Sequence, residues 1–466
     1  MPPIIKSIVC LTALPLLVAG CASTNPKAAL DDVDNTVVAR TGQQLNGMST
    51  DVVSVLLQTN LTAQSAVTIA LLNNKSLQAE FGEIGISQAE VAQASRLHNI
   101  QLFGSWRIPD QPPSIVDSEY SAAADFLDLL TLPARKKIAA RNLEQTKLEV
   151  ADRVLKFATE TQMTFYKLQS QAELVKRLNM IVDVNAAGAD IAKRQYDAGN
   201  INELELHNQQ APAIQSRLDL MQAQAEALLE REHLNRLLGL SGEQIHWQIT
   251  DELPALPEKE LTLTNLESLA VNQRLDLAAK RAQAESLMTA LKLKKNTRFI
   301  PGVTLGVNTE RSPDGQRVTG PTLGLELPLF DQGQPAVAKL TAEFQQAKDN
   351  YLALEVNVRS EVREAQGTLL AAREAVEFSQ KNLLPLRQQI LGETLLQYNA
   401  MQKNSFDLLM AKEREQMAEE TRIAALRDYW LARVSLESAV GGRLTGNANS
   451  PALAMKPAPM LSEHQH

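Results

Sequence analysis

The chain has 466 residues, a formal net charge of −8 and only 4% aromatics. The acidic excess is spread along the sequence without a basic patch, which excludes nucleic acid as a partner. Stretches rich in Ala, Leu, Gln and Glu suit long helices laid side by side, not the core of a globular enzyme.

Residues 1–20 read as a signal peptide, because Lys6 is the only charge and Ile8 to Ala19 is nearly all apolar. Val18-Ala19-Gly20-Cys21 follows and resembles a bacterial lipobox, in which the Cys thiol takes a diacylglycerol and cleavage leaves a lipidated N-terminus. Ala22 after the Cys resembles the outer-membrane class of lipoproteins, whereas Asp there tends to retain them at the inner membrane. Cys10 leaves with the signal, so the mature chain keeps one cysteine and forms no internal disulfide. No later segment approaches ~18 consecutive apolar residues, so a crossing of the membrane by the mature chain requires β-barrel strands.

Residues 21–61 are polar with scattered Val and Leu, and are expected to run extended from the anchor. A first unit is expected over 62–240. Its opening helix, Thr62 to Ser95, puts Ala66, Ala70, Leu77, Ile84 and Val91 on one apolar face. Ile100, Leu102, Gly104, Trp106 and Ile108 then alternate with Gln101, Ser105 and Arg107, a strand in which Phe103 breaks the pattern. Pro109 to Pro113 makes a turn, and Tyr120 to Leu130 is a weaker strand that also reads as helix. Helix resumes at Leu132-Pro133 and runs to about Ala198, with a three-four seam of Leu148, Ala151, Leu155, Ala158, Gln162 and Phe165. Some 55–65 residues at ~1.5 Å each span roughly 80–100 Å, longer than the diameter of a globular domain. Asn202 to Leu238 returns, with Pro212 marking a kink.

A linker, 241–265, carries Pro254 and Pro257, and a second unit is expected over 266–442. Ala70, Leu77, Ala79 and Ile100 match Ala270, Leu277, Ala279 and Ile300 without a gap. The strand signal repeats more clearly here. Val303, Leu305 and Val307 alternate with small or polar residues, Ser312-Pro313-Asp314-Gly315 turns, and Leu323, Leu325, Leu327 and Leu329 alternate again. One apolar and one polar face suits a barrel wall; the same pattern also fits a sheet half-buried on a soluble core. Gln334-Pro335 opens the next long helix, with Pro in the first turn, where its missing N–H costs nothing. Val358, Val362, Ala365, Leu369, Ala372, Val376, Leu383, Leu386 and Ile390 hold its seam, and Pro385 predicts a bend. In the return, Asn404 to Val440, the heptad row Met410, Met417, Ala424 and Leu431 reads as packing. Residues 443–466 are a Pro/Ala/Asn-rich tail, expected to be disordered.

The units also match at their tips. Gln195-Tyr196-Asp197-Ala198 is answered by Gln397-Tyr398-Asn399-Ala400, Asn202 and Glu205 by Asn404 and Asp407, and Leu238-Gly239 by Val440-Gly441. An Asn with an acid three residues on is a capping signature, and a closing Gly is a helix stop. These matches imply two long antiparallel helical hairpins made by internal duplication.

Helix, β-hairpin and helical hairpin, twice over, resembles the TolC-like outer membrane efflux factor family, over about Thr62 to Gly442. The motifs are Pro328-Leu329-Phe330-Asp331 at the second hairpin's exit, Tyr196-Asp197-Ala198-Gly199 at the first tip, and Ala70 to Leu77 with Ala270 to Leu277 before the strands. Lys75, Leu275 and Ile100 stand where the family usually has Pro, and Met401 replaces the tip Gly of the second copy. The resemblance implies a mainly α fold with a membrane β-barrel portion, in which four strands per protomer join a twelve-stranded barrel shared by a homotrimer. It implies outer membrane lipid around the barrel, a helical tunnel in the periplasm, and tips that meet a periplasmic adaptor bound to an inner-membrane pump. The channel would be a passive exit for drugs or metal cations and not an enzyme.

By the same resemblance, Asp407 and its counterpart Glu205 fall at the entrance constriction, where three-fold repetition would make carboxylate rings. Both also fit a purely capping role. Tyr196, Gly199, Asn200, Tyr398, Gln402 and Lys403 are candidate tip or adaptor contacts; the alternative is local turn packing. His98, His207, His233 and His246 show no paired ligand spacing, and His464, His466, Met455 and Met460 read as tail, so no metal site is expected. There is no nucleophile motif or phosphate loop, and the lipid on Cys21 is the only attached group expected. The competing class is a periplasmic coiled-coil lipoprotein acting as adaptor or scaffold, which would carry one hairpin between compact β domains.

Overall fold

The computed structural model describes residues 26–42, 50–108, 110–111, 116–258, 264–300, 302–312 and 314–444. Cys21, the turn around Pro112 and Pro113, and the tail from 445 lie outside the described residues. Two short helices come first, α1 (Pro26–Thr41) and α2 (Thr50–Leu57). The first copy then runs α3 (Ala63–Asn73), α4 (Lys75–Ala94), β1 (Gln101–Arg107), β2 (Asp117–Asp125), α5 (Phe126–Asp197) and α6 (Glu203–Leu238). The second runs α7 (Leu266–Gln273), α8 (Leu275–Thr297), β3 (Val303–Arg311), β4 (Arg317–Leu325), α9 (Gln334–Phe378), a π turn (Ser379–Leu383), α10 (Leu384–Asn399) and α11 (Ser405–Val440).

Two compact units draw on both copies. One takes Glu80–Val150 and Ala278–Leu352, and holds the strands. The other takes the described residues of Val33–Ala79, Ala151–Leu277 and 353–444, and holds the helical hairpins.

All four strands form one antiparallel sheet in the order β1-β2-β3-β4. Each hairpin pairs locally, and β2 pairs with β3 across the two copies, Ala122 opposite Val307. Among the described residues, β1 and β4 are left as unpaired edges.

In the hairpin unit, α5 and α11 run antiparallel. Tyr166 stacks on Trp430 with ring centroids 5.3 Å apart, Glu173 meets Arg422, and Gly188 lies against Leu409, stepping down one helix and back along the other. The linker is fastened to this bundle. Trp247 is buried, with its Nε1 donating to Asn235 at 2.8 Å and Arg231 4.0 Å over its ring. Gln169 Nε2 donates to the Thr250 and Glu252 carbonyls.

Several expectations are corrected. The segment expected to run extended forms α1 and α2, because Ala29, Val33 and Val37 recur every four residues and bury one face. The helix from Thr62 breaks at Asn74, whose extended backbone (φ −71°, ψ 117°) lets its side chain cap α4 through Leu77 N. The same corner recurs at Arg274. α5 starts at Phe126, straight out of β2, and carries Pro133 inside it. Its seam uses Val154 and Thr161 in place of Leu155 and Gln162; Thr161 is fully buried because its hydroxyl donates to the Phe157 carbonyl at 2.8 Å. α6 passes Pro212 unbroken.

The second seam holds through Val376 and is then lost. The π turn sits directly before Pro385 and adds a residue to the turn, which rotates the face presented by α10. Leu386 and Ile390 are exposed within the chain, and α10 buries nothing. The methionine row is also off the core: Met410 and Met417 are exposed while Ala411 and Ala418 are buried.

Candidate functional site

The register of the sheet sorts its residues into two faces, since cross-strand partners share a face. On one face the rows read, from the helix end, Val303 and Leu325; then Ala124, Leu305 and Leu323; then Leu102, Ala122, Val307 and Pro321. Next come Gly104, Tyr120, Thr309 and Thr319, and last Trp106, Ser118, Arg311 and Arg317. The other face is mostly polar, with Gln101, Ser105, Arg107, Asp117, Glu119, Ser121, Asn308, Glu310 and Thr322.

The apolar face is bare. Leu102 is 81% exposed and Leu323 63%. A contiguous apolar surface of this kind marks a face that meets something other than water. The nine residues of β3 and of β4 match the ~9–11 needed to cross a bilayer. Trp106 and Tyr120 form an edge-on pair 5.7 Å apart, with Trp Nε1 donating to the Tyr hydroxyl at 2.9 Å, the amphipathic rings that mark a membrane interface. Among the described residues no helix is long and apolar enough to cross a membrane.

The two tips are built alike. Gly199 N donates to Tyr196 O and Asn200 N to Gln195 O, both at 2.8 Å; Met401 N donates to Tyr398 O and Gln402 N to Gln397 O, both at 2.9 Å. Asn202 Oδ1 then accepts from Glu205 N at 2.9 Å, and Asn404 Oδ1 from Asp407 N at 2.8 Å. The acids differ. Asp407 Oδ2 accepts from Asn404 N at 3.2 Å and closes a reciprocal box, with Lys403 Nζ 4.0 Å from its other oxygen. The Glu205 side chain instead accepts from Gln209 at 3.0 Å. Among the described residues no hydrogen bond or ion pair joins Asp407 to Glu205. Tyr196, Gly199, Asn200, Tyr398, Gln402 and Lys403 all lie exposed at the tips.

One cluster gave no signal in the sequence. Arg422 Nη2 donates to Glu173 at 2.7 Å and its Nε to Glu419 at 2.8 Å, while Glu173 also accepts from Leu253 N at 3.3 Å. Burial pulls the Arg422 guanidinium toward neutrality, and the two carboxylates outweigh it and keep its pKa above the ordinary value. The cluster ties α5, α11 and the linker together and sits well away from the tips in sequence. Among the described residues no group of His, Cys, Asp and Glu is arranged to hold a metal ion.

No protein-family model matches the chain. The cobalt-zinc-cadmium resistance protein CzcC of Cupriavidus metallidurans is 22% identical over 394 residues, 82% of this chain and 90% of its own. The Campylobacter jejuni CmeC outer membrane channel superposes with a TM-score of 0.71 at 17% identity, over 82% of this chain and 86% of its own. The open state of the Neisseria gonorrhoeae MtrE outer membrane channel does so with a TM-score of 0.64 at 17% identity, over 83% and 91%. The chain has the fold of these outer membrane channels.

Its departures from the TolC-like pattern have local explanations. Lys75 and Leu275 are the first residues of α4 and α8, each just after a corner. Proline is favoured at a first helical position for its fixed φ, but nothing there requires it. Met401 stands where the TolC-like tip has Gly and keeps that conformation, with φ 59° against 73° at Gly199. A left-handed non-glycine residue costs roughly 1–2 kcal/mol, so the Met401 tip is the more strained of the two.

Proposed function

We infer that the protein is the outer-membrane channel of a tripartite efflux system, a passive duct for substrates that an inner-membrane pump delivers through a periplasmic adaptor. The observation that carries this is the sheet: one face apolar and bare, the other polar, and both edges unpaired. Lipid leaves an open edge unsatisfied, so the sheet needs further copies to close. A homotrimer would make twelve strands. The exposed Leu386, Ile390 and Leu396 of α10 give neighbouring copies an apolar face to cover. The helical hairpins then form the periplasmic tunnel, and a single sheet drawing on two hairpins does not fit an adaptor or scaffold with one hairpin between compact β domains. A channel of this kind performs no chemistry.

At the tunnel entrance, Asp407 and Glu205 are the proposed constriction, and Tyr196, Gly199, Asn200, Tyr398, Gln402 and Lys403 the proposed adaptor contacts. Because the curated relative is a cobalt-zinc-cadmium resistance protein, divalent cations are the first cargo to test. Purified protein in a planar bilayer is expected to give discrete cation-preferring steps from a heat-sensitive trimer. Asp407→Asn is expected to change the step size or the blockade by multivalent cations. A monomer without conductance removes the channel reading; an unchanged Asp407→Asn channel leaves that residue as a cap alone. Cysteine at Asn200 or Gln402 is expected to crosslink to the adaptor in pumping cells, and no adduct there would sink the docking assignment.

The lipobox supports a diacylglycerol on Cys21, which would hold the N-terminus at the membrane. The mature N-terminal peptide is therefore expected to carry the mass of the lipid, and Cys21→Ser to lack it. A mature peptide starting elsewhere, or an unmodified Cys21, removes the anchor.

A further inference from the structure

We infer that Arg311 and Arg317 form a binding site for the phosphate headgroup of an outer-leaflet lipid, an assignment that rests on the channel reading. The two arginines are direct partners across the β3–β4 hairpin, at its end away from the helices. Opposite residues in antiparallel strands sit about 4.5–5.5 Å apart at Cα and point to the same side. Two like charges so placed repel each other unless a counter-charge lies between them. Neither guanidinium has a hydrogen bond or ion pair to a side chain of the described residues.

Arg107 supplies the contrast. It lies at the same end of the sheet but on the polar face, where Asp117 and Glu119 neutralise it at 3.4 Å and 3.2 Å. Glu310 sits on that face too. The carboxylates of the strands at this end are therefore gathered on one side and the unpaired arginines on the other, while Asp314 in the turn accepts from Gln316 N at 3.0 Å. In a closed barrel the neighbour meeting β4 would be β1, and β1 (QLFGSWR) contains no acid. The missing counter-charge is not supplied by this sheet or by the strand that would extend it.

The surroundings identify the counter-charge. Arg311 and Arg317 finish the face whose lower rows are Leu305, Val307, Pro321 and Leu323. Immediately before them stand Tyr120 and the hydroxyl pair Thr309–Thr319, 2.8 Å apart; beside them stand Trp106 and Ser118. Along nine residues of strand the face thus passes from hydrocarbon-like to aromatic and hydroxyl, then to cationic. That is the order met in crossing from acyl chains to headgroups. Cationic side chains on a lipid-facing surface at headgroup depth meet lipid phosphate. Guanidinium forks suit phosphate oxygens, and a dianionic phosphate monoester offers enough acceptors to bridge both. The tight turn just beyond, with Ser312 N donating to Gln316 O at 2.9 Å, fixes the spacing of the pair.

The test uses the purified full-length protein, with conductance recorded on every sample. Retained lipid is counted by native mass spectrometry after exposure to bisphosphorylated lipid A, to the same lipid with its phosphates removed, or to inorganic phosphate. Wild type is expected to retain the bisphosphorylated lipid in preference to the dephosphorylated one. Arg311→Gln with Arg317→Gln is expected to lower that retention roughly tenfold or more, as the loss of charge-assisted hydrogen bonds requires, while conductance is kept. Arg311→Lys with Arg317→Lys keeps the charge and is expected to retain an intermediate amount. Equal retention by wild type and the Gln variant, with both conducting, overturns the site and leaves the channel reading intact. Displacement of the lipid by equimolar inorganic phosphate overturns the assignment to lipid. A wild type that neither inserts nor conducts overturns the channel reading and this site with it.

Discussion

Val307→Arg is expected to prevent assembly in the outer membrane. Val307 lies in the third row of the bare apolar face, between Ala122 and Pro321, midway along β3. Arginine at that depth of a barrel's lipid face costs about 2–4 kcal/mol, against about 0–1 near the interfaces. The charge enters once per copy, so an oligomer meets the penalty repeatedly. Thr322→Arg is the matched control, because Thr322 is the next residue along β4 from Pro321 and points to the polar face. The control is expected to assemble with altered conductance. Membrane fractionation with heat-resolved electrophoresis separates the outcomes; normal assembly of Val307→Arg would mean that this face does not meet lipid. The natural arginines at 311 and 317 fit the same depth rule, since they occupy the last row only.

Arg422→Ala is expected to destabilise the hairpin unit by about 3–5 kcal/mol, the usual result of stripping one partner from a buried ion pair. Glu173 is 5% exposed and Glu419 12%, so without the guanidinium two buried carboxylates face each other. Thermal unfolding of the variant beside the wild type checks the size. Substituting all three residues with leucine is expected to recover most of the loss, because apolar replacements remove the desolvation cost along with the attraction. A triple leucine variant no more stable than Arg422→Ala would show that lost packing, and not stranded charge, is responsible.

Much of the fold was legible because it is repeated. Two weak signals at matching positions, such as Asn202 with Glu205 and Asn404 with Asp407, constrain each other, and both tips use the Asn side chain as the cap. Alternation disclosed β3 and β4 because Leu and Gly differ sharply. It blurred β2, where Ala122, Ala123 and Ala124 carry almost no contrast between faces. The seam of α5 was misplaced by one residue at two positions, since Leu155 and Gln162 fit the three-four rhythm as well as Val154 and Thr161; only the neighbouring helices decide. The π turn was suggested by Pro385 as a bend, yet its rotation of the apolar stripe depends on one extra residue in a turn, which periodicity does not encode. Arg422 with Glu173 and Arg311 with Arg317 were invisible for a related reason. The first joins helices far apart in sequence, and the second needs the strand register before its like-charge pairing can be recognised.

On the proposed channel reading, the unpaired edges at β1 and β4 bear on how the protein avoids harming the cell that makes it. A lone chain has no comfortable place in the bilayer, because two rows of backbone groups would face hydrocarbon without partners. Partial assemblies keep an open seam and carry the same penalty, so insertion is favourable only once the ring is complete. An incomplete ring would be a leak across the permeability barrier. The feature that makes a single chain look unfinished thus makes the hole all-or-none: either no pore, or one whose wall is whole.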